Sequence, residues 1–72
     1  MRYTAQVVAT FSGKLHDPRQ FERLDDAIAR AEEMLADPDA LTVEVLATGD
    51  DEKLVVVKGW TRHGEGGWAK TV

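Results

Sequence analysis

Apolar and polar positions alternate along the first part of the chain. In residues 2–11, RYTAQVVATF, the odd positions are apolar or aromatic and the even positions are mostly polar. A period of two residues is typical of a β-strand with one face in a hydrophobic core. The next segment contains Gly13 and the pair Asp17-Pro18, which favour a turn. We therefore predict a strand, a turn and a short return strand within residues 3–23.

The spacing of apolar residues changes to three and four in the middle of the chain. Asp25 and Asp26 stand at the start of this segment, where carboxylates interact favourably with the positive end of a helix dipole. Pro38 follows the segment and disfavours helical backbone in the residue before it. The pattern predicts an amphipathic helix that begins at Leu24 and ends before Pro38. Its apolar stripe consists of Leu24, Ala27, Ile28, Ala31, Met34 and Leu35.

Two further β patterns follow the helix. Residues 40–49, ALTVEVLATG, alternate again, and residues 53–62, KLVVVKGWTR, are rich in β-branched side chains. With the polar turn GDDEK between them, they predict a second hairpin over residues 41–62. A last short strand is predicted within residues 67–72, GWAKTV. The sequence thus predicts one α+β domain spanning residues 1–72, with a single helix packed on an antiparallel sheet of four to five strands in the order ββαβββ.

A single helix can cover only one side of such a sheet, and the aliphatic run at residues 54–57 therefore needs an explanation. Strand periodicity puts Leu54, Val56 and Trp60 on the side of the helix. It puts four aliphatic residues on the other side: Val8, Leu46, Val55 and Val57. Aliphatic side chains on an open sheet face indicate a buried contact with another molecule. That molecule is either a second copy of the chain or a protein partner.

Composition and charge narrow the class of protein. The chain has 72 residues, of which 43% are hydrophobic and 31% charged, and this is typical of a globular domain. It has no cysteine, so neither a disulfide framework nor a thiol nucleophile is available. No apolar run reaches the roughly 18 residues of a membrane span, and the N-terminus lacks a signal-peptide pattern. We therefore expect a cytoplasmic protein without a membrane partner.

The residues capable of catalysis or metal binding form no known motif. His16 and His63 lack the companion ligands at set spacing that a metal site requires. The glycines of GEGG precede a strand rather than a helix, so they do not match a phosphate cradle. We predict no catalytic residue, no metal site and no cofactor. The acidic residues of the helix and its exit form either a solvated surface or one directed at a basic partner.

The C-terminal stretch KGWTRHGEGGWAKTV, residues 58–72, contains both tryptophans and four of the six glycines. Trp68 follows a glycine-rich turn beside Arg62 and His63, and tryptophan and arginine are enriched at interface hot spots. Alternatively, Trp68 fixes the last strand onto the sheet. Together with Val55 and Val57, the residues Arg62, His63 and Trp68 are the predicted partner-binding residues.

The layout resembles that of very small phage-borne proteins, including anti-CRISPR inhibitors of multi-subunit type I surveillance complexes. The similarity is one of residue types and lengths. It covers the initial MRYTAQVV, the strand-to-helix passage FERLDDAIARAEE, the hairpin LTVEVLATGDDEKLVVV and the final GEGGWAKTV. The resemblance implies a non-catalytic inhibitor that occupies a protein surface, often one that would otherwise hold nucleic acid.

Three functional hypotheses follow. The first is a protein-binding module, most specifically a phage or mobile-element inhibitor of a host defence nucleoprotein complex. The second is a small homodimeric bacterial domain without an inhibitory role. The third is a nucleic-acid binder that would use Arg2, Lys58, Arg62 and Lys70 with a stacking tryptophan. The net charge of −4 disfavours direct nucleic-acid binding.

Overall fold

The part of the chain that the computed structural model describes, residues 1–14, 16–63 and 67–70, folds into five strands and one helix in the order ββαβββ. The side chain of His63 lies outside this description. The elements are β1 Arg2–Thr10, β2 Arg19–Phe21, α1 Leu24–Met34, β3 Ala40–Thr48, β4 Leu54–His63 and β5 Gly67–Lys70. All neighbouring strands are antiparallel, and their order across the sheet is β2-β1-β3-β4-β5. The predicted α+β fold is confirmed.

The helix uses small residues to approach the sheet closely. Ala27, Ala31 and Met34 of α1 are buried, at the helical spacing that the sequence predicts. The helix ends at Met34, which is earlier than the position of Pro38 indicates. Its last turn tightens instead, because the amide of Asp37 donates a hydrogen bond to the carbonyl of Met34 three residues before it.

The hydrophobic core lies between α1 and the centre of the sheet. Val43 and Val45 on β3 are the largest fully buried side chains, and Ala5 on β1 is buried beside them. Larger side chains are only half-buried around this centre, among them Trp60 and Trp68. A core built of valine and alanine is small, so we expect a stability toward the low end of the roughly 5–15 kcal/mol of ordinary domains.

The helix covers only part of the sheet. Among the described residues, α1 packs on β1, β3 and β2, whereas β4 and β5 extend beyond it. The side of the sheet opposite α1 carries no other element of the described chain. Within residues 1–14, 16–63 and 67–70, one side of the sheet is thus left without a helix, as the sequence predicts.

The end of β1 differs from the prediction. The sequence pattern places Phe11 within the strand and on its apolar face, but β1 ends at Thr10 and Phe11 is 61% exposed. The pairing of β1 with β3 is irregular between Val7 and Thr10, which interrupts the alternation of faces. The amide of Phe11 instead donates a hydrogen bond to the carbonyl of Asp39, so this segment bends toward the connection between α1 and β3.

Candidate functional site

The register of the sheet decides which side chains share a face. Directly opposite residues of antiparallel strands point to the same side. Val7 lies opposite Val43, and Ala5 lies opposite Val45, on the side that packs against α1. The intervening residues point away from α1, and we call that side of the sheet the open face. Its central residues are Thr4, Gln6, Glu44, Leu46, Val56 and Thr61.

A β-bulge in β4 changes the predicted faces. Lys58 pairs with Val45, but Val56 pairs with Leu46, so Val57 is an extra residue without a partner in β3. The bulge reverses the alternation of faces on the N-terminal side of Val57. Val56 therefore lies on the open face beside Leu46, and the predicted position of Val56 under the helix is wrong.

The same bulge moves Val55 and Leu54. Val55 lies opposite Ala47, on the side of α1, and Leu54 lies opposite Thr48, on the open face. The predicted placements of Val55 on the open face and of Leu54 on the side of the helix are therefore both wrong. Val55 is nevertheless 60% exposed, because β4 lies beyond the reach of the helix. Gly59, two residues after the bulge, is the sequence signal that was missed, since a glycine inside a strand often marks a bulge.

The open face has an apolar centre with polar neighbours, of which Glu44 is charged. Leu46 is only 9% exposed although no helix covers it. Its nearest neighbours by register are Thr4 on β1 and Val56 on β4. Leu54 continues the apolar surface toward the β3–β4 turn and is 66% exposed. The result is a surface of aliphatic and hydroxyl side chains rather than a cleft.

Arg62 and Trp68 form a second cluster, on the side of α1. They lie opposite each other in β4 and β5, and the Arg62 guanidinium carbon is 4.5 Å from the centre of the Trp68 ring. The Trp68 Nε1 donates a hydrogen bond of 3.1 Å to the carbonyl of Leu35. The Arg62 Nε and Nη2 donate 2.9 Å hydrogen bonds to the carbonyls of Ala40 and Asp37. We call Arg62 and Trp68 the helix-end clamp.

The clamp compensates for a feature of the helix sequence. The last turn of α1 contains no basic residue, and its terminal carbonyls need hydrogen-bond donors. Trp68 donates to the carbonyl of Leu35, which follows the last helical residue. Arg62 supplies a positive charge beside this end, and its two donors bind the carbonyls of Asp37 and Ala40 in the chain that follows the helix. Because the Arg62 guanidinium and the Trp68 indole already donate hydrogen bonds to the backbone, their cation–π contact stabilises the fold.

The five predicted partner-binding residues do not form one surface. Arg62 and Trp68 are adjacent on the side of α1, Val55 is on that same side at the far end of β4, and Val57 is at the bulge. His63 lies opposite Gly67 in the sheet, and its side chain is outside the described part. Sequence reasoning placed Leu46 on the open face correctly, and the residues beside it that were missed as site residues are Thr4 and Val56.

The connection between α1 and β3 also holds the β1–β2 loop. The amide and hydroxyl of Ser12 both donate hydrogen bonds to the carboxylate of Asp39. These bonds, the hydroxyl bond above all, lower the pKa of Asp39 below its ordinary value. His16 Nε2 lies 3.8 Å from a carboxylate oxygen of Asp37, beside a cleft of about 410 Å³. The described residues contain no group of three or more side chains able to hold a metal ion.

Comparison of the chain with protein-family models, with curated proteins and with solved structures found no match. None of the helices in the described residues has the length and apolar character required to cross a membrane.

Proposed function

We propose that this chain is a non-catalytic protein-binding module and that the open face is its contact surface. The observation that carries the proposal is the scarcity of charge on this face. Charged residues make up 31% of the chain. The register of the described strands places only Arg2 and Glu44 among them on the open face. The centre of a protein–protein interface is depleted of charge in the same way.

The apolar content of the open face supports the same function. Leu46, Val56 and Leu54 lie next to one another across β3 and β4. Threonine hydroxyls offer hydrogen bonds beside these aliphatic residues, at Thr4 next to Leu46 and at Thr48 next to Leu54. An apolar centre with a polar rim is the arrangement typical of specific protein contacts.

The specific form of the proposal is a phage-borne inhibitor that acts in the cytoplasm on a host type I surveillance complex. Its support is the resemblance in layout to such inhibitors. A charge-poor surface suits a contact with protein subunits better than a contact with a phosphate backbone, since phosphate binding depends on lysine and arginine.

The distribution of basic residues gives less support to the nucleic-acid hypothesis. Arg2 is on the open face, whereas Lys58, Arg62 and Lys70 are on the side of α1. Arg62 and its stacking candidate Trp68 are already hydrogen-bonded to the backbone. A continuous basic groove with free aromatic rings is what single-stranded nucleic acid requires.

Affinity capture with two matched charge insertions tests the contact surface. Thr4→Glu adds a carboxylate at the centre of the open face, and Ala29→Glu adds one on an exposed position of α1. We expect both variants to fold, Thr4→Glu to lose the proteins that the unmodified chain captures from a bacterial lysate, and Ala29→Glu to retain them. Equal capture by both variants would contradict the proposal.

The inhibitory role needs a separate assay. A purified type I surveillance complex is incubated with the chain, and its binding of target DNA is measured. The proposal predicts loss of DNA binding with the unmodified chain and with Ala29→Glu, but not with Thr4→Glu. Unchanged DNA binding would contradict the inhibitory role. The proposal of a protein-binding module would still depend on the result of the capture experiment.

A further inference from the structure

In the described part of the chain, the outer edge of β4 has no pairing strand over the residues Leu54–Val57, which we call the β4 edge segment. β5 covers β4 only from Trp60 to His63, and no other described residue pairs with the β4 edge segment. Backbone N–H and C=O groups on an unpaired strand edge can pair with another strand. The side chains here are all aliphatic, and Leu54 and Val55 are 66% and 60% exposed on opposite sides of the sheet.

From this edge we propose that two copies of the chain associate by antiparallel pairing of their β4 edge segments. The two-fold axis would stand perpendicular to the sheet and pass beside Val55. The two five-stranded sheets would then form one continuous sheet with both helices on the same side. This association is independent of the proposed function, because Val55 does not lie on the open face.

Charge complementarity selects this register. With Val55 opposite the partner's Val55, Leu54 lies opposite Val56 and Glu52 lies opposite Lys58. Each copy has an acidic turn at residues 50–52 and two lysines, Lys58 and Lys70, on the side of α1 beside the β4 edge. The two-fold axis brings each acidic turn next to the lysines of the other copy, and opposite charges across strands are favourable.

Shifting the axis by one residue in either direction separates Glu52 from Lys58. With the axis at Val56, Lys58 lies opposite Leu54 of the second copy, and Glu52 lies opposite Trp60. With the axis at Leu54, Lys58 lies opposite Asp50, but the carboxylate of Glu52 lies opposite the aliphatic Val56. A carboxylate facing an aliphatic side chain loses hydration without gaining a partner.

A second copy also explains why the edge is exposed without the usual protection. Edge strands of soluble proteins generally carry a charge or a proline that prevents pairing. The β4 edge segment has neither, and the bulge at Val57 marks one end of it. Pairing between copies would remove the open edge, and it would extend the open face across the dimer.

Sedimentation equilibrium and cysteine cross-linking test the dimer and its register. Sedimentation equilibrium should give a particle mass of twice the 8.0 kDa mass of one chain. Because the chain has no cysteine, single replacements report on chosen positions. Val55→Cys places two thiols opposite each other, within the Cα separation of about 4.4–6.8 Å that a disulfide allows. Leu54→Cys is the matched control, because Leu54 is about as exposed as Val55. In the proposed register, residue 54 of one copy is offset by two residues from residue 54 of the other, and their Cα atoms are roughly 8 Å apart.

The expected result is rapid oxidation of Val55→Cys to a covalent dimer and much slower oxidation of Leu54→Cys. Lys58→Glu should weaken association by about tenfold, and adding Glu52→Lys to it should restore association. If sedimentation equilibrium gives the mass of a single chain at every accessible concentration, the proposal is overturned. Equal or faster cross-linking of Leu54→Cys, or no recovery in the double charge reversal, would overturn the register and with it this dimer.

Discussion

The indole nitrogen of Trp68 donates a hydrogen bond to the carbonyl oxygen of Leu35 at 3.1 Å, across 33 positions of sequence. Leu35 follows the last residue of α1, and Trp68 is on the outermost strand of the sheet. This bond connects the end of the helix to β5. Because β5 otherwise pairs with β4 alone, the helix-end clamp fixes the position of the C-terminal strand.

Replacing Trp68 by phenylalanine should remove this hydrogen bond and keep most of the apolar contact. A typical hydrogen bond contributes about 0.5–1.5 kcal/mol, and we expect the free energy of unfolding to fall by about 1 kcal/mol. For a domain of this size such a loss lowers the Tm by about 4–8 °C. Urea denaturation of the variant and the unmodified chain measures it. An unchanged midpoint would show that the indole N–H does not stabilise the fold.

Arg62→Lys should destabilise the fold although it keeps the positive charge. The guanidinium donates to two carbonyls at once, and an ammonium group cannot reproduce this geometry. Hydrogen bonds of charged groups contribute about 1.5–3 kcal/mol. Because Arg62 is partly exposed, we expect the free energy of unfolding to fall by an amount near the lower end of that range. Urea denaturation gives this loss. Lys58→Arg, on the same strand, is the control and should change stability little.

The bulge in β4 predicts opposite results for two valines. Val45→Asp buries a carboxylate at a fully buried position of the core and should unfold the chain. Val56→Asp adds the same group on the open face and should leave a folded protein. Circular dichroism and thermal melting distinguish the two variants. Unfolding of Val56→Asp would mean that Val56 lies under the helix and that the register of β3 and β4 is incorrect.

Asp39 predicts a loss of stability in acid. The hydrogen bonds from Ser12 lower its pKa in the folded state below the ordinary value of 3.8. A lowered pKa stabilises the fold above the unfolded-state value, and this stabilisation is lost as the pH falls below about 3.8 through the folded-state pKa. Thermal melting across this range should show a smaller acid-induced decrease for Asp39→Asn. Asp17→Asn removes the same charge at an exposed position outside the contact of Asp39 with Ser12 and should melt as the unmodified chain does. Identical profiles for both variants would contradict this role of Asp39.

The fold was predictable because local patterns agree with one another. The alternation in β1 and β3 and the helical spacing from Leu24 to Met34 each identify one element, and a single helix leaves one side of the sheet open. The faces of Val55 and Val56 were not predictable from alternation, because one extra residue at Val57 reverses the period. The clamp was not predictable either, since its acceptors are backbone carbonyls distant in sequence.

The function depends on a surface rather than on a motif. Arg62 and Trp68 have the composition of an interface hot spot, but their donors are bound to the backbone of the helix exit. The residues of the open face, such as Thr4 and Gln6, are ordinary strand residues in the sequence. Only the sheet register and the position of α1 identify them as one surface.

Photo-cross-linking in living bacteria tests the proposed contact surface most directly. A photoreactive amino acid replaces Thr4 at the centre of the open face in one variant, and Ala29 on the outer surface of α1 in another. We expect covalent adducts with a bacterial protein from position 4 and none from position 29. Adducts from position 29 alone, equal adducts from both positions, or none from position 4 would contradict the proposed contact surface.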